Sequence, residues 1–194
     1  MTIFSLSHII YLLICAIIVV AYYFIFKNKS KKVQNIALFI PLVLAFIIHF
    51  LKPLIPVYKD NLPQSLQALT PESICAISTL IFPFIYFSKN KALKDYMVVV
   101  GTISGFLTLI IPADVLGIDP TNIEVIRFFF AHLTIFMVPL LMYLFDIHKL
   151  KGNWVKNTLI IFAIAVLIMI LDTLLFTFIY EGKQGLLDMF NLNR

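Results

Sequence analysis

The 194-residue chain is 61% hydrophobic and only 13% charged, against roughly 45–50% and about 25% in a soluble domain. That balance excludes a soluble globular protein and leaves room for five or six bilayer helices of about 20 residues each. Its 15 basic and 10 acidic residues give a net charge of +5, which in a membrane protein is a topology signal to be read loop by loop and not a nucleic-acid footprint.

Long apolar runs bounded by charges or prolines predict spans at about 8–26, 33–55, 71–88, 95–113, 123–147 and 155–181. Residues 1–7 carry no Lys or Arg, and the first run ends in the basic stretch 27–32 and not in a small-residue cleavage site. That predicts a retained anchor, not a signal peptide. Between the second and third spans, Leu62, Leu66 and Leu69 follow Pro63 at helical spacing and predict a short amphipathic surface helix over 60–70. The third span is expected to start with Thr70 as cap, Pro71 in the first turn and Glu72 at the positive end of the helix dipole. After the sixth, Leu186, Leu187 and Phe190 share one side and predict a second surface helix. The expected fold class is all-α: a polytopic integral membrane protein, one six-transmembrane-helix domain over 1–194 with both termini extracytoplasmic.

Charge supplies the orientation. Three connections, 27–32, 89–94 and 149–156, hold ten of the fifteen basic residues, so they are expected in the cytoplasm of a cell-membrane protein. The other connections contribute Lys52 and Lys59 with Asp60, Asp114, Asp119 and Glu124 beside them. Tyr22, Tyr23, Tyr86, Tyr96 and Trp154 fit the inner interface of this frame, and Tyr58 and Tyr180 the outer one.

A titratable group in hydrocarbon is costly unless partnered or hydrated, so such residues are functional candidates. His8, His49, Cys75, Arg127, His132 and Asp172 all fall in the half assigned to the outer leaflet. At about 1.5 Å per residue, His132 and Asp172 each lie about 13 Å deep on helices running in opposite directions. Cys75 lies near a helix start, where a thiol ionises more readily, with Ser78 and Thr79 at i+3 and i+4 on its face. Two readings fit it: an activated nucleophile, or a small packing residue of the kind common in membrane helices. His132 is either a base or a structural imidazole bonded across helices. Asp172 needs a partner, with His132, Arg127, His8 and His49 available. If it accepts from His132, then Cys75, His132 and Asp172 have the nucleophile, base and orienter arrangement of acyl transfer. Arg127 either pairs with Glu124 at i, i+3 or holds a lipid phosphate. Cys15 and Cys75 match no zinc spacing and form no disulfide framework. Neither a metal nor a cofactor is expected.

The run Pro71-Glu72-Ser73-Ile74-Cys75-Ala76-Ile77-Ser78, with Arg127-Phe128-Phe129-Phe130-Ala131-His132 further on, resembles the YwaF-like integral membrane proteins. That family includes an animal acyltransferase that remodels ether phospholipids with one Cys and one His; more distant relatives with a similar bundle hydrolyse fatty-acid esters. The resemblance covers most of the chain and implies Cys75 as the acyl-accepting nucleophile and His132 as its base. This chain departs from the bacterial pattern at Ser73, where a histidine is usual, and at Asp172-Thr173-Leu174-Leu175, where the last helix usually carries a different polar segment.

The function expected is therefore a lipid acyltransferase or lipid-ester hydrolase with a Cys-His site open to the outer leaflet. Ser78, Thr79, Arg127, His49 and His8 would contact the substrate, and the 60–70 segment would act as a lid. Membrane lipids are the expected partners and nucleic acid is not; the oligomeric state stays open. Two other classes also fit, a substrate-binding subunit of a transporter and a structural membrane protein. The last would hold Cys75 and His132 far apart.

Overall fold

The computed structural model describes residues 1–54 and 69–189, with side chains through residue 178. Helix α1 (Leu6–Phe26) opens on Ser5, whose Oγ accepts from the His8 N–H at 3.4 Å, and α2 (Lys31–Phe50) opens in the same way on Ser30. Side-chain oxygens at these positions satisfy N–H groups that have no partner within the helix. α2 stops at Phe50, short of the expected residue 55. Pro53 has no N–H to donate, and a single 3-10 turn, Lys52–Leu54, takes over. The surface helix expected over 60–70 falls almost entirely outside the described residues.

Helix α3 (Ile74–Phe87) starts three residues later than expected. Ser73, not Thr70, is the cap, and its Oγ accepts from the Ala76 N–H at 3.1 Å. Glu72 thus lies outside the helix, and Cys75 becomes its second residue. α4 is a composite: an α-helical turn Lys91–Tyr96 capped by Asn90, a π-helical turn Met97–Gly101, then Thr102–Ile110, ended by Pro112. α5 (Ile123–Leu144) is capped by Asn122, whose Oδ1 accepts from the Glu124 N–H at 2.9 Å. α6 (Trp154–Met189) has 36 residues, about 54 Å at 1.5 Å per residue. Its backbone carries straight on through residues 185–189, where a separate surface helix is expected from sequence; the side chains there lie outside the described residues.

Among the described residues, six helices and no strand make this an all-α membrane protein. α1, α2, α4, α5 and the Trp154–Phe178 part of α6 are long and apolar enough to cross a bilayer. α3, at 14 residues, spans about 21 Å, less than the roughly 30 Å hydrocarbon core. Its early limits come from Ser73 at one end and Ser88 at the other.

α5 is the central helix. In its apolar window 72% of residues are buried, against 6% in α1 and in α6, and it packs against α4, α2, α3 and α1. α6 leans on the first turn of α4 and on α3. The exposed Ile, Leu and Phe side chains of α1 and α6, such as Ile17, Phe24, Leu167 and Leu174, are the surface a lipid phase would cover.

The connections sort into two ends. Lys31 bonds the Phe145 carbonyl and Lys91 the Lys151 carbonyl, while Gln34 donates to the carbonyls of Phe26 and Lys27. The three lysine-rich connections therefore meet at one end of the bundle. At the other end the Met1 ammonium bonds the Ile118 carbonyl, Tyr11 donates to Pro120, and Lys52 meets Glu72.

Candidate functional site

Within this second end lies a polar cavity of about 50 Å³, room for a few water molecules. α3 supplies Ser73, Cys75 and Thr79; α2 and the turn after it supply His49 and Lys52; α5 supplies Arg127 and His132. Glu72 and Asp114 complete its charged lining. Two residues distant in the chain, Cys75 and His132, thus face one small space.

Each imidazole has a defined partner. The His132 Nδ1–H donates to the Phe128 carbonyl at 2.8 Å, one turn back on its own helix, which leaves Nε2 as the acceptor nitrogen of the neutral ring. The His49 Nε2–H donates to the Leu69 carbonyl at 3.1 Å, leaving Nδ1 as acceptor. Cys75 Sγ is 3.5 Å from Thr108 Oγ1. The Thr108 hydroxyl hydrogen is already given to the Ser104 carbonyl at 2.9 Å, so at this contact the thiol donates and the hydroxyl accepts. Thr79 donates to the Cys75 carbonyl at 2.9 Å.

The charged rim is paired. Arg127 grips Glu124 through Nε at 2.7 Å and through a second bond from its other nitrogen, the i, i+3 pair that the spacing allows. Lys52 Nζ lies 3.6 Å from Glu72. Burial pushes the Lys52 ammonium below its ordinary pKa, and the nearby Arg127 charge adds to this. Burial likewise pushes the Glu72 carboxyl above its ordinary value, with Lys52 opposing.

Three of the sequence candidates lie away from this cavity. Asp172 accepts from the Thr70 hydroxyl at 2.9 Å, so its partner is a hydroxyl next to α3 and not His132; the imidazole is oriented by the Phe128 carbonyl instead. His8 is fully buried, accepts from the Phe4 N–H at Nδ1 and donates from Nε2 to the Leu109 carbonyl at 3.0 Å. It ties α1 to the end of α4. Ser78 is fully buried one turn below Cys75 and is absent from the cavity wall. Cys15 is buried in the apolar core, in keeping with a packing role.

Sequence reasoning missed Lys52, Asp114, Ser104 and Thr108. The first two sit in connections, where charges are ordinary. The hydroxyl pair at i and i+4 on α4 was the one available signal, since it lines a helix face with polar groups. Among the described residues no group of three or more His, Cys, Asp or Glu is arranged to hold a metal.

No curated protein and no solved structure matches the chain. The model of one membrane-protein family, however, matches residues 3–193, nearly the whole length. By that match the chain belongs to the TMEM164 family.

Proposed function

We propose that the chain is a membrane-embedded thiol acyltransferase or lipid-ester hydrolase, related to the YwaF-like proteins, in which Cys75 carries the acyl group and His132 moves the proton. The observation that carries this reading is that Cys75 and His132 line one cavity, with Cys75 in the first turn of α3. A structural protein has no need of that juxtaposition.

The chemistry follows from the hydrogen-bond inventory. His132 Nε2 accepts the thiol proton, and Cys75 Sγ attacks the ester carbonyl. The Ile74 and Cys75 N–H groups at the start of α3 have no intrahelical partners and are the ones available to developing negative charge on the carbonyl oxygen, the Ala76 N–H being held by Ser73. Collapse breaks the carbon–oxygen bond, and the departing alcohol takes the proton back from His132. The thioester on Cys75 then passes its acyl group to a second alcohol or to water by the reverse steps. At about 50 Å³ the cavity has room for an ester group and not for an acyl chain, so only the ester group enters and the chains remain in lipid. Thr79, Arg127 and His49 stand around the entering group.

In the same reading the chain crosses the membrane six times, α3 being the short crossing. The lysine-rich end is cytoplasmic by the positive-inside rule, and the site opens to the outer leaflet. Labelled phospholipid or an acyl-thiol trapping reagent, applied to the purified protein, is expected to mark Cys75. Cys75→Ala abolishes the label, and His132→Ala lowers its rate by about 10²–10⁴-fold, the range for a general base. Unaltered labelling in both variants would sink the mechanism.

A further inference from the structure

The lysine-rich end of the bundle has a hollow of its own, an open groove of about 200 Å³ between α4 and α5, against about 50 Å³ for the polar cavity. Val99, Thr102 and Ile103 of α4 and Leu140 and Tyr143 of α5 line it, with Leu150 of the connection after α5. Val99 belongs to the π-helical turn Met97–Gly101, which carries an extra residue and so interrupts the regular face that α4 offers to α5. Thr102 Oγ1 is buried, so the walls are almost wholly apolar and give a water-soluble ligand nothing to bond. Ile103 is 55% and Tyr143 47% exposed, which opens the groove to the outside of the bundle, on the surface that meets lipid. Ile103 is four residues past Val99, about 6 Å further from the lysine-rich end, so the groove runs along the span.

Charge at one end of the groove selects the lipid. Leu150 stands between Lys149 and Lys151 in the chain, and the Lys91 ammonium bonds the Lys151 carbonyl. Three cations therefore gather where Leu150 meets the groove. One exposed carboxylate faces them, Asp146, whose Oδ1 lies 2.9 Å from Lys149 Nζ; Asp95 is buried and engaged by His148 and Asn157. An exposed pair such as Lys149–Asp146 is worth little, so a phosphate can share its ammonium. Apolar walls beside surplus positive charge, at the end of the bundle where the connections lie, are the arrangement that receives an acidic lipid headgroup. We propose that this groove binds an anionic phospholipid, with one acyl chain along Val99, Ile103 and Leu140 and the phosphate against Lys91, Lys149 and Lys151. The site is separate from the Cys75 cavity and does not rest on the acyl-transfer reading.

The test is native mass spectrometry of the full chain, released from detergent micelles after addition of equal amounts of phosphatidylglycerol and phosphatidylcholine with the same acyl chains. One phosphatidylglycerol should be retained per chain, in preference to phosphatidylcholine by about tenfold or more, since each lysine near a lipid surface is worth about fivefold. Lys149→Gln combined with Lys151→Gln should bring the preference close to parity. Lys29→Gln combined with Lys32→Gln makes the same charge change outside the groove lining and should leave the preference intact. Ile103→Trp fills the groove from its exposed side and should abolish retention of both lipids; thermal melting checks its fold, and Val99→Phe replaces it should it fail. Glycerol 3-phosphate, which offers the phosphate without a chain, should not displace the lipid at equal concentration. Cys75→Ala should bind as the wild type does, so loss of acyl labelling leaves this site standing and loss of lipid retention leaves the acyl-transfer reading standing. An equal loss in the Lys29 and Lys32 variant, a preference that survives in the Lys149 and Lys151 variant, lipid retained by the filled groove, or displacement by glycerol 3-phosphate would each overturn the proposal. So would a dimer that Ile103→Trp dissociates, which would give the groove to a second copy of the chain.

Discussion

A histidine in a membrane helix takes its meaning from what its second nitrogen can do. His8 has both nitrogens spent on backbone groups, Phe4 and Leu109, and has no capacity left for chemistry. His132 and His49 each spend one on a carbonyl and keep the other. The sequence singles out His132 as the base and groups His8 with His49 as substrate contacts, because burial and depth are legible in an apolar run while the partner of each ring nitrogen is set by a distant backbone. The same limit applies to Asp172, whose need for a partner was legible and whose partner, Thr70, was not. Cys75, His132, His49 and Arg127 stood out as rare polar residues in apolar surroundings, whereas Thr108 and Ser104 did not, since hydroxyls are cheap in helices. At the cavity rim, Glu72 offers a test by pH. Its carboxyl is held above the ordinary value near 4.5 chiefly by burial. As pH falls from neutral toward 4.5, the folded protein takes up a proton at Glu72 before the unfolded chain does. Stability from this group therefore rises in that window. The melting temperature of the wild type relative to Glu72→Gln should accordingly increase between pH 7 and pH 5; a difference that shrinks or stays flat would contradict the assignment.

At the scale of elements, the site depends on how closely α4 approaches α5. Gly101 and Gly105 form a small-residue pair at i, i+4, the spacing that lets membrane helices pack backbone to backbone. A Cβ on Gly105 would sit 2.6 Å from the Phe136 nitrogen and 3.0 Å from the His132 carbonyl oxygen. Those are main-chain atoms of α5 and cannot move aside. A Cβ on Gly101 would meet the Phe82 ring at 2.7 Å and Pro139 Cγ at 2.9 Å, which are side chains with some freedom to shift. Gly105→Ala should therefore cost about 1–3 kcal/mol, as overpacking does, and Gly101→Ala less. Because the clash lies at the His132 turn, Gly105→Ala should also slow acyl labelling of Cys75. Melting temperatures of the two variants in one detergent check the order, and a larger loss in Gly101→Ala would refute it. The existence and order of all six helices were legible from apolar length and flanking charge. Their ends were less so: Ser73 rather than Thr70 caps α3 because of the geometry of one hydroxyl, and the π-helical turn in α4 has no signature in the apolar pattern.

For the whole molecule, the lysine-rich end is where the connections must be held in register. There a fully buried carboxylate, Asp95, joins three segments: Oδ1 accepts from His148 Nε2 at 2.8 Å and Oδ2 from Asn157 Nδ2 at 2.8 Å. α4 is thereby tied to the connection before α6 and to the first turn of α6. The cluster lies opposite the cavity, so it serves the bundle and not the site. In the sequence Asp95 sits among Lys91 and Lys94, where an acidic residue reads as a solvated flank of a basic loop, and nothing local marks it as buried. Removing one partner of a buried pair leaves the other uncompensated and costs about 3–5 kcal/mol. His148→Ala strands the Asp95 carboxylate with Asn157 alone and should fall in that range. Asp95→Ala removes the charge itself and leaves His148, which is 11% exposed, able to turn toward water, so it should cost less. The double variant should then be more stable than the sum of the two single losses predicts, since the stranded charge is gone. Reversible unfolding of the four proteins in mixed micelles measures this coupling directly. A coupling near zero would mean that the three segments are held by apolar packing and that the buried carboxylate contributes nothing to their register.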